Sequence, residues 1–253
     1  MSNRISKIPN DVQDRNSEAW KKLCEYVEYV AKNGLDEFAP REYLSADLFS
    51  QILTLPETIK KLKNVKKVWL YGSRLKRIPP EIGQMESLEY FDLYTSYDLH
   101  WFPYEITKCK KLKDSRISTR ALYGNFKNRM GFPKLDHNPV RYQGDTLSCS
   151  VCEKEISYEE TNQFWITLRI ATDVVPLLAN VCSEDCKSKL PTSPKGYVEY
   201  PHKGGAGLKQ PSYEEWEAAN VVKFTLEDLG KSVEKTKDEK PTFLKLIKKI
   251  WEK

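Results

Sequence analysis

The sequence predicts an α/β protein: a short array of repeated strand-and-return units closed by an N-terminal helix, then a small α+β cysteine-bearing module, then C-terminal helices. Three observations predict it. The segments LPETIKKLKNV, IPPEIGQMESL and FPYEITKCKKL superimpose, beginning at Leu55, Ile78 and Phe102, and so recur after 23 and 24 residues. Upstream, Trp20, Leu23, Cys24, Val27, Val30 and Ala31 fall on one helical face. Downstream, four of the six cysteines form two close pairs.

Composition bounds the function. With 253 residues the chain lies between one large domain and two ordinary ones. Hydrophobic residues make up 40% and charged residues 30%, and no run approaches the ~18 apolar residues of a membrane helix. The N-terminal residues MSNRISKIPNDVQDRN have no apolar core after their basic residues, so no secretory signal is expected and the expected location is cytoplasmic. A net charge of +5 and a pI near 8.7 stay below the pI of about 9 that marks a dedicated nucleic-acid domain.

Taken in order, residues 1–51 are expected to form the helical cap, with a helix over 17–33 that Ser17 starts and Gly34 stops. Residues 52–133 form the array. Its inward row is Val65, Val68, Leu70, Leu75 and Ile78, then Leu88, Phe91, Leu93, Leu99 and Phe102, then Leu112, Ile117 and Leu122. These residues resemble the leucine-rich-repeat family, in the variant whose units carry an I/L-P-x-x-I signature. The resemblance covers roughly residues 52–123 and implies a short leucine-rich-repeat solenoid. The turn asparagine of the family pattern is replaced by Ser73, Ser96 and Arg120, and Ser115 stands where a core aliphatic is expected, so the third strand reads as the end of the array.

Side chains alternate across a strand, so the residues between the core aliphatics face the concave side. These are Lys67, Trp69 and Tyr71, then Tyr90, Asp92 and Tyr94, then Asp114, Arg116 and Ser118. Tryptophan, tyrosine and arginine are enriched among binding hot spots. The candidate partner-binding set is therefore Lys67, Trp69, Tyr71, Tyr90, Asp92, Tyr94 and Arg116, for another protein. The competing reading packs these rings under the cap, a loop or the cysteine module, and pairs Asp92 with Arg116.

The passage GFPKLDHNPVRYQGD reads as a boundary, and the module at 145–200 follows. Cys149 and Cys152 form C-x2-C, and Cys182 and Cys186 form C-x3-C. Such spacing delivers four thiolates to one structural zinc. Between the pairs, FWITLRI and VVPLLANV read as two strands. The order of knuckle, hairpin and helix looks like a treble-clef zinc finger. A redox C-x-x-C leaves the second pair unexplained, and a ubiquitin-ligase RING needs a second metal site that His100, His137 and His202 do not complete. Cys24 and Cys109 are expected to be buried packing groups.

The run from His202 to Gly207 lacks a phosphate-loop pattern and reads as a flexible loop. At 211–253, Ser212 and Glu215 form a capping box, and Lys231 to Lys240 suits a solvated linker. Phe243, Leu246, Ile247, Ile250 and Trp251 share a helical face bordered by Lys245, Lys248, Lys249 and Lys253. That face is suited to docking on the chain or to peripheral membrane or partner contact. The expected function is non-catalytic protein recognition. The alternative is nucleic-acid binding through Lys187, Lys189 and Lys195, where Glu184 and Asp185 weaken the local field.

Overall fold

A computed structural model describes residues 13–220. The linker and final amphipathic helix expected from the sequence lie outside the described residues. Helix α1 (Glu18–Lys32) begins where Ser17 Oγ accepts the Trp20 amide, and it buries Leu23, Val27 and Val30. A two-residue strand β1 (Glu37–Phe38) and two single-turn helices, α2 (Pro40–Tyr43) and α3 (Ala46–Phe49), complete the N-terminal part.

Three strands then alternate with tight return turns. Strands β2 (Lys67–Trp69), β3 (Tyr90–Leu93) and β5 (Asp114–Ile117) join β1 in a parallel sheet of order β1-β2-β3-β5. Lys67 pairs with Tyr90 and Tyr90 with Asp114, so the ladder repeats the sequence spacing. Each return turn is 3-10 helical, over Glu57–Lys61, Pro80–Gln84 and Tyr104–Lys108. Pro56, Pro79 and Pro103 precede these turns in extended backbone, and Ile59, Ile82 and Ile106 point inward from them. The inward row is buried from Val65 to Phe102.

The turn serines are interior. Ser73 and Ser96 meet through their hydroxyls at 2.7 Å, Ser96 also reaches the Leu70 carbonyl, and the Ser118 hydroxyl accepts the Thr95 amide at 2.7 Å. Ser118 therefore departs from the expected outward row. It is buried because the chain enters a 3-10 turn (Thr119–Ala121) directly after it.

The cysteine-bearing region begins with a ribbon, β6 (Thr146–Ser148) against β7 (Glu155–Ser157). It continues with the hairpin β8 (Asn162–Ile170) and β9 (Asp173–Val181) and a single-turn helix α4 (Glu184–Ser188). A two-residue strand β4 (Phe102–Pro103) in the third return segment pairs in parallel with β9, Phe102 with Leu177 and Pro103 with Leu178. One apolar cluster consequently runs from Leu23 of α1 through the sheet to Phe164, Leu177 and Cys186. Among the described residues no helix is long and apolar enough to cross a membrane.

Two further segments are held by packing. In the passage at 131–145, Phe132, Leu135 and Val140 are buried with Trp101, Tyr123 and Trp165, and the Trp165 indole donates to the Pro133 carbonyl at 2.8 Å. Deleting a ring from such a cluster costs about 3–5 kcal/mol. The run from His202 is likewise pinned. His202 pairs with Trp165 as a β-bridge, and its ring accepts the Gly204 amide, so this run packs on the hairpin instead of hanging free. Helix α5 (Tyr213–Asn220) starts with the reciprocal capping box: the Ser212 amide donates to Glu215 at 2.6 Å and the Glu215 amide to Ser212 Oγ at 3.2 Å. Its Trp216 stacks on Phe126 at 3.9 Å between centroids.

Candidate metal centre and open sheet face

The knuckle that joins β6 to β7 presents Cys149 and Cys152. It closes with the Cys149 amide on the Lys154 carbonyl at 2.8 Å and the Glu153 amide on the Cys149 carbonyl at 3.0 Å. Cys182 follows the last residue of β9, and Cys186 sits in the first turn of α4, where the Ser183 cap accepts its amide at 3.2 Å. The four sulfurs lie within 4.8 Å of one another. Cys182 Sγ is 3.6 Å from the sulfurs of both Cys152 and Cys186. A tetrahedron with zinc–sulfur distances of ~2.3 Å has sulfur–sulfur edges of about 3.8 Å. A disulfide needs about 2.05 Å, and all four cysteines are free.

Electrostatics favours a cation here. The Cys149 thiol is opposed by burial, but amides of Cys152, Val151 and Cys182 donate to it and bring it down to about 7. Cys186 has the Ser183 hydroxyl in its favour, yet burial and the three neighbouring sulfurs push it up to about 12. Four thiolates crowded together repel one another, and a divalent ion at their centre would offset that charge. Four thiols without histidine or carboxylate suit zinc. Cys149, Cys152, Cys182 and Cys186 thus form a potential metal-binding site, consistent with a structural zinc.

Two of the three lysines near this centre are engaged. Lys187 pairs with Glu184 at 2.9 Å and Lys189 with Asp185 at 2.6 Å, while Lys195 is exposed. Of the other cysteines, Cys109 is buried and donates to the Ile82 carbonyl, and burial pushes its thiol up to about 12. Cys24 is only half-buried. His137 is exposed beside Asp136, and burial lowers His202 to about 4.

The outward row of the parallel sheet carries the aromatic residues. Tyr71 is 42% and Tyr94 41% exposed, while Trp69 and Tyr90 are half-buried against each other at 4.9 Å between centroids. Lys67 and Trp69 both bond Glu37 of β1, at 2.8 and 3.0 Å, and this partnership lowers the Glu37 carboxyl. Arg41, Tyr71, Tyr94 and Arg116 form a ladder. Arg41 lies 5.6 Å from the Tyr71 ring, the two tyrosines are 6.1 Å apart, and Arg116 lies 4.5 Å from Tyr94. Asp114 is exposed.

Asp92 does not share this exposure. It is 3% exposed, its Oδ1 accepts the Tyr94 amide at 2.9 Å, and its Oδ2 is 3.8 Å from Arg116. Its carboxylate is spent on holding the strand end, so the accessible set contracts to Lys67, Trp69, Tyr71, Tyr90, Tyr94 and Arg116. Glu37 and Arg41 belong to the same face and were not foreseen. Glu37 lies in a two-residue strand, too short for readable alternation, and Arg41 in the single-turn helix α2, outside the repeat period. No known family model matches the sequence.

Proposed function

We propose that the chain is a non-catalytic, cytoplasmic protein-recognition module. Residues 52–133 act as a short leucine-rich-repeat array, and a treble-clef-like module at 145–200 holds one structural zinc. The carrying observation is the row of Trp69, Tyr71, Tyr90 and Tyr94 on the outward side of the parallel sheet, with two of the rings about two-fifths open to solvent. Rigid rings flanked by guanidinium groups give large contact area at low entropic cost, and Arg41 and Arg116 supply polar contacts at either end. The family reading is supported by parallel strands in the register of the sequence period and by an isoleucine in each return turn.

In this reading the metal stabilises and does not react. Four thiolates fill a tetrahedral ion's coordination positions and leave none for substrate. The nucleic-acid alternative draws less support, because Lys187 and Lys189 are already paired with carboxylates.

The test is photo-crosslinking in cells with the reactive residue at Tyr94, compared with one at Lys110 on the return side. A protein captured from Tyr94, absent from Lys110 and lost on Trp69→Ala substitution supports the proposal. Equal capture with and without Trp69 moves the docking surface elsewhere. Adducts made of RNA or DNA favour the alternative.

A further inference from the structure

The two most open rings of the outward row stand where β2 and β3 end. The ladder continues past both strands, with the Leu70 amide on the Asp92 carbonyl at 2.8 Å and the Gly72 amide on the Tyr94 carbonyl at 2.9 Å. Tyr71 and Tyr94 are thereby held side by side, their centroids 6.1 Å apart and each about two-fifths open to solvent.

An arginine closes each end of this pair. Arg41 reaches over from α2 and lies 5.6 Å from the Tyr71 ring, with Nη1 3.5 Å from the Tyr71 carbonyl oxygen. The backbone makes room for it: a Cβ on Gly72, where φ is +69°, would meet Arg41 Nη1 at 3.3 Å. Arg116 lies 4.5 Å from the Tyr94 ring, and its side chain is 56% exposed. A guanidinium carries five N–H donors in a planar fork. Arg41 makes one long bond to the protein and Arg116 only a 3.8 Å contact with Asp92, so both forks keep donors for an incoming group.

Charge is spread unevenly over this face. Its exposed acids, Glu37 and Asp114, stand at the other end of the strands, in register with Lys67 and Tyr90, and Glu37 already pairs with Lys67. Asp98, past Tyr94, pairs with Arg74 at 3.5 Å. Asp92 is buried, and its Oδ1 is taken by the Tyr94 amide. Arg41 meets no carboxylate among the described residues. The complementary ligand therefore carries an anion at each end and an apolar group between them.

Spacing narrows it further. From Arg41 across Tyr71 and Tyr94 to Arg116 the row takes about three strand-sized steps of ~4.8 Å, roughly 14 Å in all. An extended peptide rises ~3.3 Å per residue and turns alternate side chains to one side, so acids at its first and fifth positions, with an apolar residue at the third, match the row. Resting on the recognition reading above, we propose that this row binds an extended acidic segment of a partner protein. One carboxylate sits on Arg41, another on Arg116, and an apolar side chain lies between Tyr71 and Tyr94.

The experiment titrates the full chain with the capped peptide acetyl-Glu-Ser-Leu-Ser-Glu-amide, following the Tyr71 and Tyr94 ring signals by NMR. Both signals are expected to shift saturably, and the peptide with glutamine in place of both glutamates to bind about ten-fold more weakly. The isomer acetyl-Glu-Glu-Ser-Leu-Ser-amide, whose acids sit together, is expected to bind about three-fold more weakly, as is the original peptide to Arg41→Gln or Arg116→Gln protein. Arg41→Gln should leave the melting temperature unchanged, and Lys110→Gln on the return side should leave affinity unchanged. Unmoved ring signals, equal binding of the glutamine peptide, or equal binding of the two acidic isomers overturns the proposal. So does displacement of the peptide by oligothymidylate, which assigns the row to nucleic acid. A protein captured at Tyr94 through a segment without paired acids overturns the acidic assignment and leaves protein recognition standing, whereas equal capture with and without Trp69 removes the recognition reading itself.

Discussion

Thr172 closes the open edge of the parallel sheet through a single hydroxyl, which accepts the Ser115 amide at 3.2 Å and donates to the Ser115 carbonyl at 2.9 Å. Strand β5 is the last of its sheet, and the turn of the β8–β9 hairpin supplies the partner that a further strand would have offered. Asp173 adds a carboxylate contact to Ser115 Oγ at 2.8 Å. Thr172→Val keeps the shape and removes both backbone bonds. Since the site is partly open to water, the expected loss is about 1 kcal/mol in urea unfolding, with Thr172→Ser restoring most of it.

Removal of the proposed zinc is expected to have a larger effect. Structural zinc contributes about 10–16 kcal/mol of apparent binding energy in small peptides, so a strong chelator is expected to lower the melting temperature sharply. Elemental analysis should find one zinc per chain, and Cys182→Ser should reduce it. With the proposed zinc bound to the other four cysteines, an alkylating reagent is expected to spare Cys109 and to reach half-buried Cys24 first.

Thr95 occupies a left-handed backbone position with φ of 62°, where the preceding repeat has Gly72 at 69°. A β-branched residue is strained there by about 1–2 kcal/mol, and the greater freedom of an unfolded glycine takes back about 0.5–1 kcal/mol. Thr95→Gly is therefore expected to stabilise the protein by about 0.5–1 kcal/mol, read as a rise of roughly 2 °C in melting temperature. A fall would mean that the Thr95 side chain contributes more than its backbone costs.

The buried Glu105 gives stability a pH dependence of definite sign. Its folded pKa is raised above the unfolded value of about 4.3, so its stabilising contribution is complete below that value and is lost as pH rises through the folded pKa. Glu105→Gln has no proton to lose. The melting temperature of the variant relative to the native protein is expected to be lowest at the acid end of the range in which zinc stays bound. It should then rise toward neutral pH, with zinc retained in both. Asp173 is also raised by burial but is common to both proteins, so it cancels in the comparison, while the Glu81 charge, which itself raises Glu105, belongs to the same effect. A difference that stays flat with pH excludes this origin.

Period and spacing carried much of this architecture. The helix read over 17–33 occupies Glu18–Lys32, the two apolar stretches became β8 and β9, and the four cysteines converge. These features are local, or are set by a repeat that fixes the strand register. What escaped was non-local. The pairing of Phe102 with Leu177 joins residues far apart in the chain, and nothing in either segment announces its partner. Asp92 keeps its place in the outward row but is buried there, because the Tyr94 amide and Arg116 occupy its carboxylate, which alternation does not record. Phe132, Leu135 and Val140 sit among prolines, glycines and charged residues, so composition did not announce that they would be buried with Trp101 and Trp165.

The short parallel pairing of Phe102–Pro103 with Leu177–Leu178 also bears on how this polypeptide can be divided for expression. Truncation after residue 133 removes the strand that zips along the third return segment and strips the cover from Ser115. It leaves a raw sheet margin prone to self-association. Stopping short of Cys182 is expected to have a related cost, since the hairpin that shields that margin would then lose the proposed metal anchor at its far end. Soluble material is therefore to be sought from fragments that reach beyond α4.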